Sequence, residues 1–196
     1  MMTQSALLQL DSLTAAPRLL GWELLRREVD GSLTGGRIVE VEAYHGAEDP
    51  ASHAYRGRSA RNAPMYEASG VIYTYLSYGL HTCLNIVTGP SGQAQAVLIR
   101  ALEPTRGLTT MAARRSTANP RLLASGPGRV GQALGLTVSM SGQRLEEVIE
   151  LRPPPAAPSP ADIWSGPRIG ITRAADRPWR FWLANNDFVS ARHTKL

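Results

Sequence analysis

The chain has 196 residues and 43% hydrophobic content, enough for the core of one domain and too much for a globally disordered chain. Its formal net charge is +5, the sign expected of a protein that meets phosphate. Of its 21 Lys and Arg residues 20 are Arg, a bias that a G+C-rich genome largely explains, and Lys195 as the one lysine excludes an internal Schiff base.

In chain order, residues 1–11 are expected to form a flexible tail, followed by a short helix over 11–20 with Asp11 or Ser12 as N-cap. Residues 22–29 read as a strand, Asp30-Gly31 as a turn, and the segment through Tyr44 as a second strand. Alternation in that second strand puts Val39, Val41 and Ala43 on one face and Ile38, Glu40, Glu42 and Tyr44 on the other. Residues 45–67 make a long polar loop of the kind that carries function. A hairpin follows, over 71–78 and 82–88 with Gly79 at its tip, then a strand over 94–101 and helices over 107–115 and 128–134. Residues 153–160, with five prolines, read as a surface excursion, and 169–172 and 180–183 as late strands. Strands and hairpins dominate. The expected fold is α/β with α+β character: a single domain with a curved, mostly antiparallel sheet and flanking helices. Cys83 is the single cysteine, which excludes an intrachain disulfide and fits a reducing compartment. The first residues lack a basic stretch and a long apolar run, so the expectation is a cytoplasmic protein without signal peptide or membrane span.

Chemistry concentrates between Arg37 and Asn85. Glu42 and Tyr44 share a strand face, a carboxylate fixed beside an aromatic ring, as an acid/base group next to a planar substrate would be. The plainer reading is a carboxylate paired with an arginine. Of the tyrosines, Tyr73 suits core packing and Tyr75 a pocket wall. Tyr78, beside Gly79 and Leu80 at the hairpin tip, suits either a wedge between stacked bases or an ordinary tip whose ring folds back. Glu42, His45, Glu48, Asp49 and His53 lie within twelve residues, a weak metal-ligand signal that matches no strong motif. Arg58, Arg61 and Arg100 offer phosphate contacts. Ser125-Gly126-Pro127-Gly128-Arg129 opens a helix whose backbone N–H groups would accept an anion.

Longer ordered motifs run through the same residues. E-x-E-A-Y, E-D-x-A-x-H, R-G-R and R-N-x-x-M occupy Glu40 to Met65. Y-x-Y-x-x-Y-G-x-x-x-C-x-N occupies Tyr73 to Asn85, V-L-I-R-A-L-E-P residues 97–104, and S-G-P Ser125 to Pro127. In these the chain resembles the 3-methyladenine (alkyladenine) DNA glycosylase family over nearly its whole length. The resemblance implies Glu42 as general base for a hydrolytic water, and Tyr44, His53 and Tyr75 as the walls that sandwich an extruded base. It implies Asn85 as the residue that screens the base edge, Ala51 as a backbone carbonyl facing the base, and Tyr78 with Leu80 as the intercalating tip. Arg58, Arg61, Arg100, Ser125, Gly126 and Arg129 would meet the DNA phosphates. The expected partner is double-stranded DNA with damaged purines, met by a monomer, with no cofactor and no metal. Leu80 stands where Met is frequent and Tyr66 where Phe is usual, departures that bear on lesion preference. A non-catalytic binder of distorted DNA and a metal-dependent nuclease remain the competing classes.

Overall fold

The computed structural model describes residues 2–190; Met1 and residues 191–196, Lys195 among them, lie outside the described part. Thr3 caps helix α1 (Gln4–Leu8), whose Leu7 and Leu8 are buried in the main core. This segment was expected in a tail. Five residues are too few for a readable helical period, and tertiary packing supplies what local propensity does not. Asp11 caps α2 (Ser12–Leu19) by accepting from the N–H groups of Leu13 and Thr14, and Ala15, Ala16 and Leu19 on one face are fully buried.

Eight strands build one open sheet in which every named pairing is antiparallel: β1 (Glu23–Arg27), β2 (Leu33–His45), β3 (Ile72–Ser77), β4 (His81–Thr88), β5 (Gln95–Arg106), β6 (Ile149–Arg152), β7 (Ile163–Gly166) and β8 (Arg180–Leu183). The main path runs β3-β4-β5-β2-β1-β6, and β8 joins β2 and carries β7 outside it. Helices α3 (Leu108–Arg115), α4 (Pro120–Leu123) and α5 (Pro127–Ala133) follow β5, and α6 (Leu145–Val148) precedes β6. The expected single-domain α+β architecture holds. The strand expected at 169–172 is instead irregular backbone, and β8 is flanked by β2 and β7, both earlier in the chain.

The two faces of the sheet have different covers. Val41, Ala43, Ile72, Leu84, Ile86, Val97 and Ile99 belong to the main core with the helices. Tyr73, Val87 and Ala96 face a smaller cluster with Ala54 and Met65, contributed by the loop after β2. Simple alternation places Ile38 with Glu40, but Ile38 lies in the main core beside Val39. The reason is a pair of bulges. Ile38 pairs with Leu102 and Glu40 with Ala101, leaving Val39 extra on β2; Val41 then pairs with Ile99, leaving Arg100 extra on β5. Each extra residue bends its strand and re-aims side chains.

Helix α5 is pressed onto β4, the strand that carries Cys83 and Asn85. A Cβ on Gly131 would lie 1.9 Å from the Thr82 carbonyl oxygen. Gly131→Ala is therefore expected to destabilise the fold by about 1–3 kcal/mol or more through overpacking, read as a lower urea midpoint. An unchanged midpoint would show that α5 is free to shift.

Candidate active site

The face opposite the helices holds the chemistry. Four neighbouring strands lay down its floor: Tyr73 and Tyr75 from β3, Cys83 and Asn85 from β4, Leu98 and Arg100 from β5, Glu42 and Tyr44 from β2. Ala51, His53, Arg61 and Met65 of the loop after β2 form one wall, and Ile169, Gly170 and Ile171 another. The resulting cleft has a volume of about 460 Å³, inside the roughly 300–1,000 Å³ span of ligand sites.

Glu42 is fully buried at the base of this cleft. Its Oε2 accepts from the Tyr44 hydroxyl at 3.0 Å and its Oε1 from the Ile169 backbone N–H at 2.7 Å. Arg100 lies 3.1 Å from Oε1. Glu42 is thus ion-paired, as the plainer sequence reading has it, and it also lines the cleft. Arg100 also donates to Glu40 at 3.1 Å, and Glu40 accepts from Arg180 at 2.9 Å and from the Ser190 N–H at 2.7 Å. Burial opposes the Arg100 charge, but Glu42 and Glu40 outweigh it and hold its pKa above the ordinary arginine value. The bulge on β5 turns Arg100 beneath the carboxylates. This differs from the expected phosphate clamp: a guanidinium 6% exposed and engaged by two carboxylates sets the floor of the site.

Tyr44, His53 and Tyr75 all line the cleft. His53 packs edge-on against Tyr75 with centroids 4.6 Å apart, and its Nδ1 is hydrogen-bonded to the Tyr73 hydroxyl at 2.8 Å. Burial, then the nearby Arg61 charge, lowers the His53 pKa, so the imidazole is neutral at neutral pH. Burial chiefly, with Glu42 for Tyr44 and Cys83 for Tyr75, raises both phenols, which stay protonated donors. Tyr73 is 2% exposed, a packing residue as its position implied. Asn85 is buried and donates to the Tyr73 carbonyl at 3.1 Å, which fixes its amide at the cleft.

At the mouth, Tyr78 and Leu80 are 85% and 77% exposed. Ser77 accepts from the Leu80 N–H at 3.1 Å, and Tyr78 and Gly79 both have positive φ, 51° and 70°. Positive φ at both central positions is the tight-hairpin conformation, easy for Gly and uncommon for Tyr. The turn displays the ring outward, and it does not fold back on its own strand.

The remaining expected phosphate contacts divide. Arg61 lines the cleft, 5.8 Å from the Tyr75 centroid. Arg58 pairs with Glu67 at 3.1 Å and lies over Tyr66, outside the cleft lining, because that carboxylate is its neighbour in the loop. Gly126 and Arg129 border a hollow that adjoins Tyr78, joined there by Arg115, which no sequence motif singles out. Ser125 bridges to Ala101 of β5 and accepts from Arg129 at 2.9 Å. Helix α5 has seven residues, and Gly128 at its start is packed so closely against His81 that a Cβ there would lie 2.7 Å from the His81 side chain.

The metal-ligand reading finds its residues otherwise engaged. His45 meets the Ser12 hydroxyl at 3.0 Å, and Asp49 forms a fully buried two-pronged pair with Arg168, at 2.5 and 2.8 Å. Among the described residues no group of three or more His, Cys, Asp or Glu side chains is gathered to hold a metal ion. Sequence reasoning missed this Asp49–Arg168 pair. It anchors the wall loop, since Asp49 also accepts from the His45 and Ala51 N–H groups.

Comparison with known proteins agrees with this geometry. The sequence model of the methylpurine-DNA glycosylase (MPG) family matches residues 6–187. A Methanoculleus marisnigri protein is 48% identical over 191 residues, covering 96% of this chain and 98% of its own. One from Rhodopseudomonas palustris is 50% identical, covering 89% of this chain and 83% of its own, and one from Nocardia farcinica 49% identical, covering 94% and 88%. Each carries the name "Putative 3-methyladenine DNA glycosylase". With the family match spanning nearly the whole chain and relatives about half identical along it, this protein belongs to the methylpurine-DNA glycosylase family and is a DNA glycosylase.

Proposed function

We propose that the protein acts as a monomer on duplex DNA, rotates an alkylated or deaminated purine into the cleft and hydrolyses its N-glycosidic bond with water activated by Glu42. The observation that carries this reading is a carboxylate held by three donors at the base of an aromatic-walled cleft, beside an exposed aromatic wedge. A base within a duplex cannot reach such a cleft unless it leaves the stack, at a cost of a few kcal/mol that is least for damaged or mispaired bases. Stacking against Tyr44, His53 and Tyr75 returns about 1–3 kcal/mol. Tyr78 and Leu80 enter the gap left behind.

Glu42 draws a proton from water as the water attacks the sugar C1′. Its negative charge also stabilises the oxocarbenium character of the transition state. The Tyr44 hydroxyl and the Ile169 N–H fix the carboxylate's direction. The Ala51 carbonyl meets the base edge from the wall, and Asn85 screens it from the floor. Arg61, with Arg129 and Arg115 near the wedge, contacts phosphates, while Ser125 and Gly126 shape that hollow and Arg58 reaches the strand from outside the cleft. Burial, then the charge of Arg129, lowers the Arg115 pKa; an added phosphate relieves that crowding. No internal lysine is available to form an imine, so the products are a free base and an unbroken abasic strand. No helix among the described residues is long and apolar enough to cross a membrane.

The reading is tested with a panel of single-lesion duplexes without added metal, scored for free base and then for strand breaks after alkali. Free base with alkali-dependent breaks is expected; direct strand scission without free base contradicts it. For the wedge, Tyr78→Ala is expected to weaken lesion-duplex affinity by about 1–3 kcal/mol and to affect single-strand affinity less. Equal losses on both substrates would remove that role.

A further inference from the structure

We propose that Arg168 is a specificity-determining residue: its buried cation, held by Asp49 against the Tyr44 ring on the side away from the cleft, biases the site toward neutral damaged purines over cationic ones. The inference rests on the base-flipping reading above and extends it to substrate class.

Arg168 has a fully enclosed side chain, and its guanidinium carbon lies 4.7 Å from the Tyr44 centroid. Tyr44 lines the cleft and Arg168 does not. The ring therefore separates the cation from the bound base. A second ring, Trp179, lies 5.0 Å from the same guanidinium, and the Ala43 carbonyl accepts from it at 3.0 Å, so the group has one position. Asp49 engages both terminal nitrogens and cancels the charge seen from afar. Close to the ring the guanidinium still dominates, because it is the group over the π face.

An aromatic face attracts cations through its negative π density. A cation already behind the ring draws that density toward itself and leaves the cleft-side face poorer. A cationic N-alkylated purine stacked there loses part of its attraction. A neutral purine, held by dispersion and shape, loses little. The facing wall works in the same direction: Arg61 lies 5.8 Å from the Tyr75 centroid and itself lines the cleft. Cationic lesions have the weaker glycosidic bonds and need least help with departure. A site that discounts their binding spends its selectivity on neutral lesions, whose release depends most on the enzyme.

The test compares single-turnover base release from duplexes carrying one hypoxanthine, which is neutral, or one 7-methylguanine, which is cationic. Arg168→Met is expected to lower the neutral-to-cationic rate ratio by about 3- to 10-fold, the scale of a cation–π contact. Arg168→Lys, which keeps the charge but cannot reproduce the two-pronged pairing and flat stacking of a guanidinium, is expected to restore the ratio in part. Should Arg168→Met not fold, the double substitution Asp49→Asn/Arg168→Gln leaves no buried charge unpaired and is expected to shift the ratio in the same direction. Equal losses on both lesions would make Arg168 a brace alone and overturn the proposal, as would a shifted ratio that Arg168→Lys fails to restore even in part. Release of neither base by the unaltered enzyme would instead refute the base-flipping reading, and this inference with it.

Discussion

Glu42→Gln is expected to slow base release by about 10²–10⁴-fold, the usual worth of a positioned general base, while leaving lesion-duplex affinity within a few-fold of the parent. The substitution keeps the side chain's size and an oxygen that accepts from the Tyr44 hydroxyl or the Ile169 N–H. It removes the charge that, in the proposed reaction, takes a proton from water and faces the developing oxocarbenium. Arg100 is not orphaned, because Glu40 still holds it at 3.1 Å, and Arg180 and the Ser190 N–H hold Glu40 in turn. Folding should therefore survive, and a chemical defect can be told from a structural one. Release above a tenth of the parent rate would return Glu42 to the status of a structural ion-pair partner. A protein that binds lesions and never releases a base, before or after the change, would be a damage sensor.

Asp49→Ala is expected to cost about 3–5 kcal/mol of stability, the range for removing one partner of a buried ion pair. Three effects add. Arg168 would keep a charge inside the protein with its carboxylate gone. The His45 and Ala51 N–H groups would lose their acceptor. The loop bearing Ala51 and His53 would lose its tie to the segment that brings Ile169 to Glu42. Urea unfolding followed by tryptophan fluorescence measures it, with a lower midpoint at an unchanged slope as the expected result. A loss under about 1 kcal/mol would place this pair with weak surface bridges.

The site was largely legible where local pattern and residue type coincide. Glu42 and Tyr44 share a face because strand period is two, and that holds in the structure. The hairpin tip follows from a glycine between two short strands, but that the Tyr78 ring points outward follows only from the positive φ of Tyr78 and Gly79 in the turn. What pattern could not reveal depends on pairing. Ile38 departs from the alternation because bulges at Val39 and Arg100 shift the β2–β5 register, and neither residue announces a bulge. The same shift converts Arg100 from an expected phosphate ligand into the floor of the site. Asp49 and Arg168 are 119 positions apart, and a buried arginine reads in sequence like any surface arginine. Residues 169–172 alternate as a strand would, but the Ile169 N–H is committed to the Glu42 carboxylate, and β8 pairs with Ile163–Gly166 instead. The N-terminal segment hides its packing in the same way: two leucines on a five-residue helix make no readable period, yet the main core takes both.

In the proposed reaction Glu42 presents a hydrolytic water to the sugar carbon of a nucleotide rotated out of the duplex. A crystal structure of the Glu42→Gln protein bound to a hypoxanthine-containing duplex tests it most directly. The lesion base is expected between Tyr44, His53 and Tyr75, with C1′ within one water's reach of position 42 and the Tyr78 ring in the vacated stack. A base that stays paired in the helix, or one that enters the cleft with C1′ turned away from position 42, would contradict it.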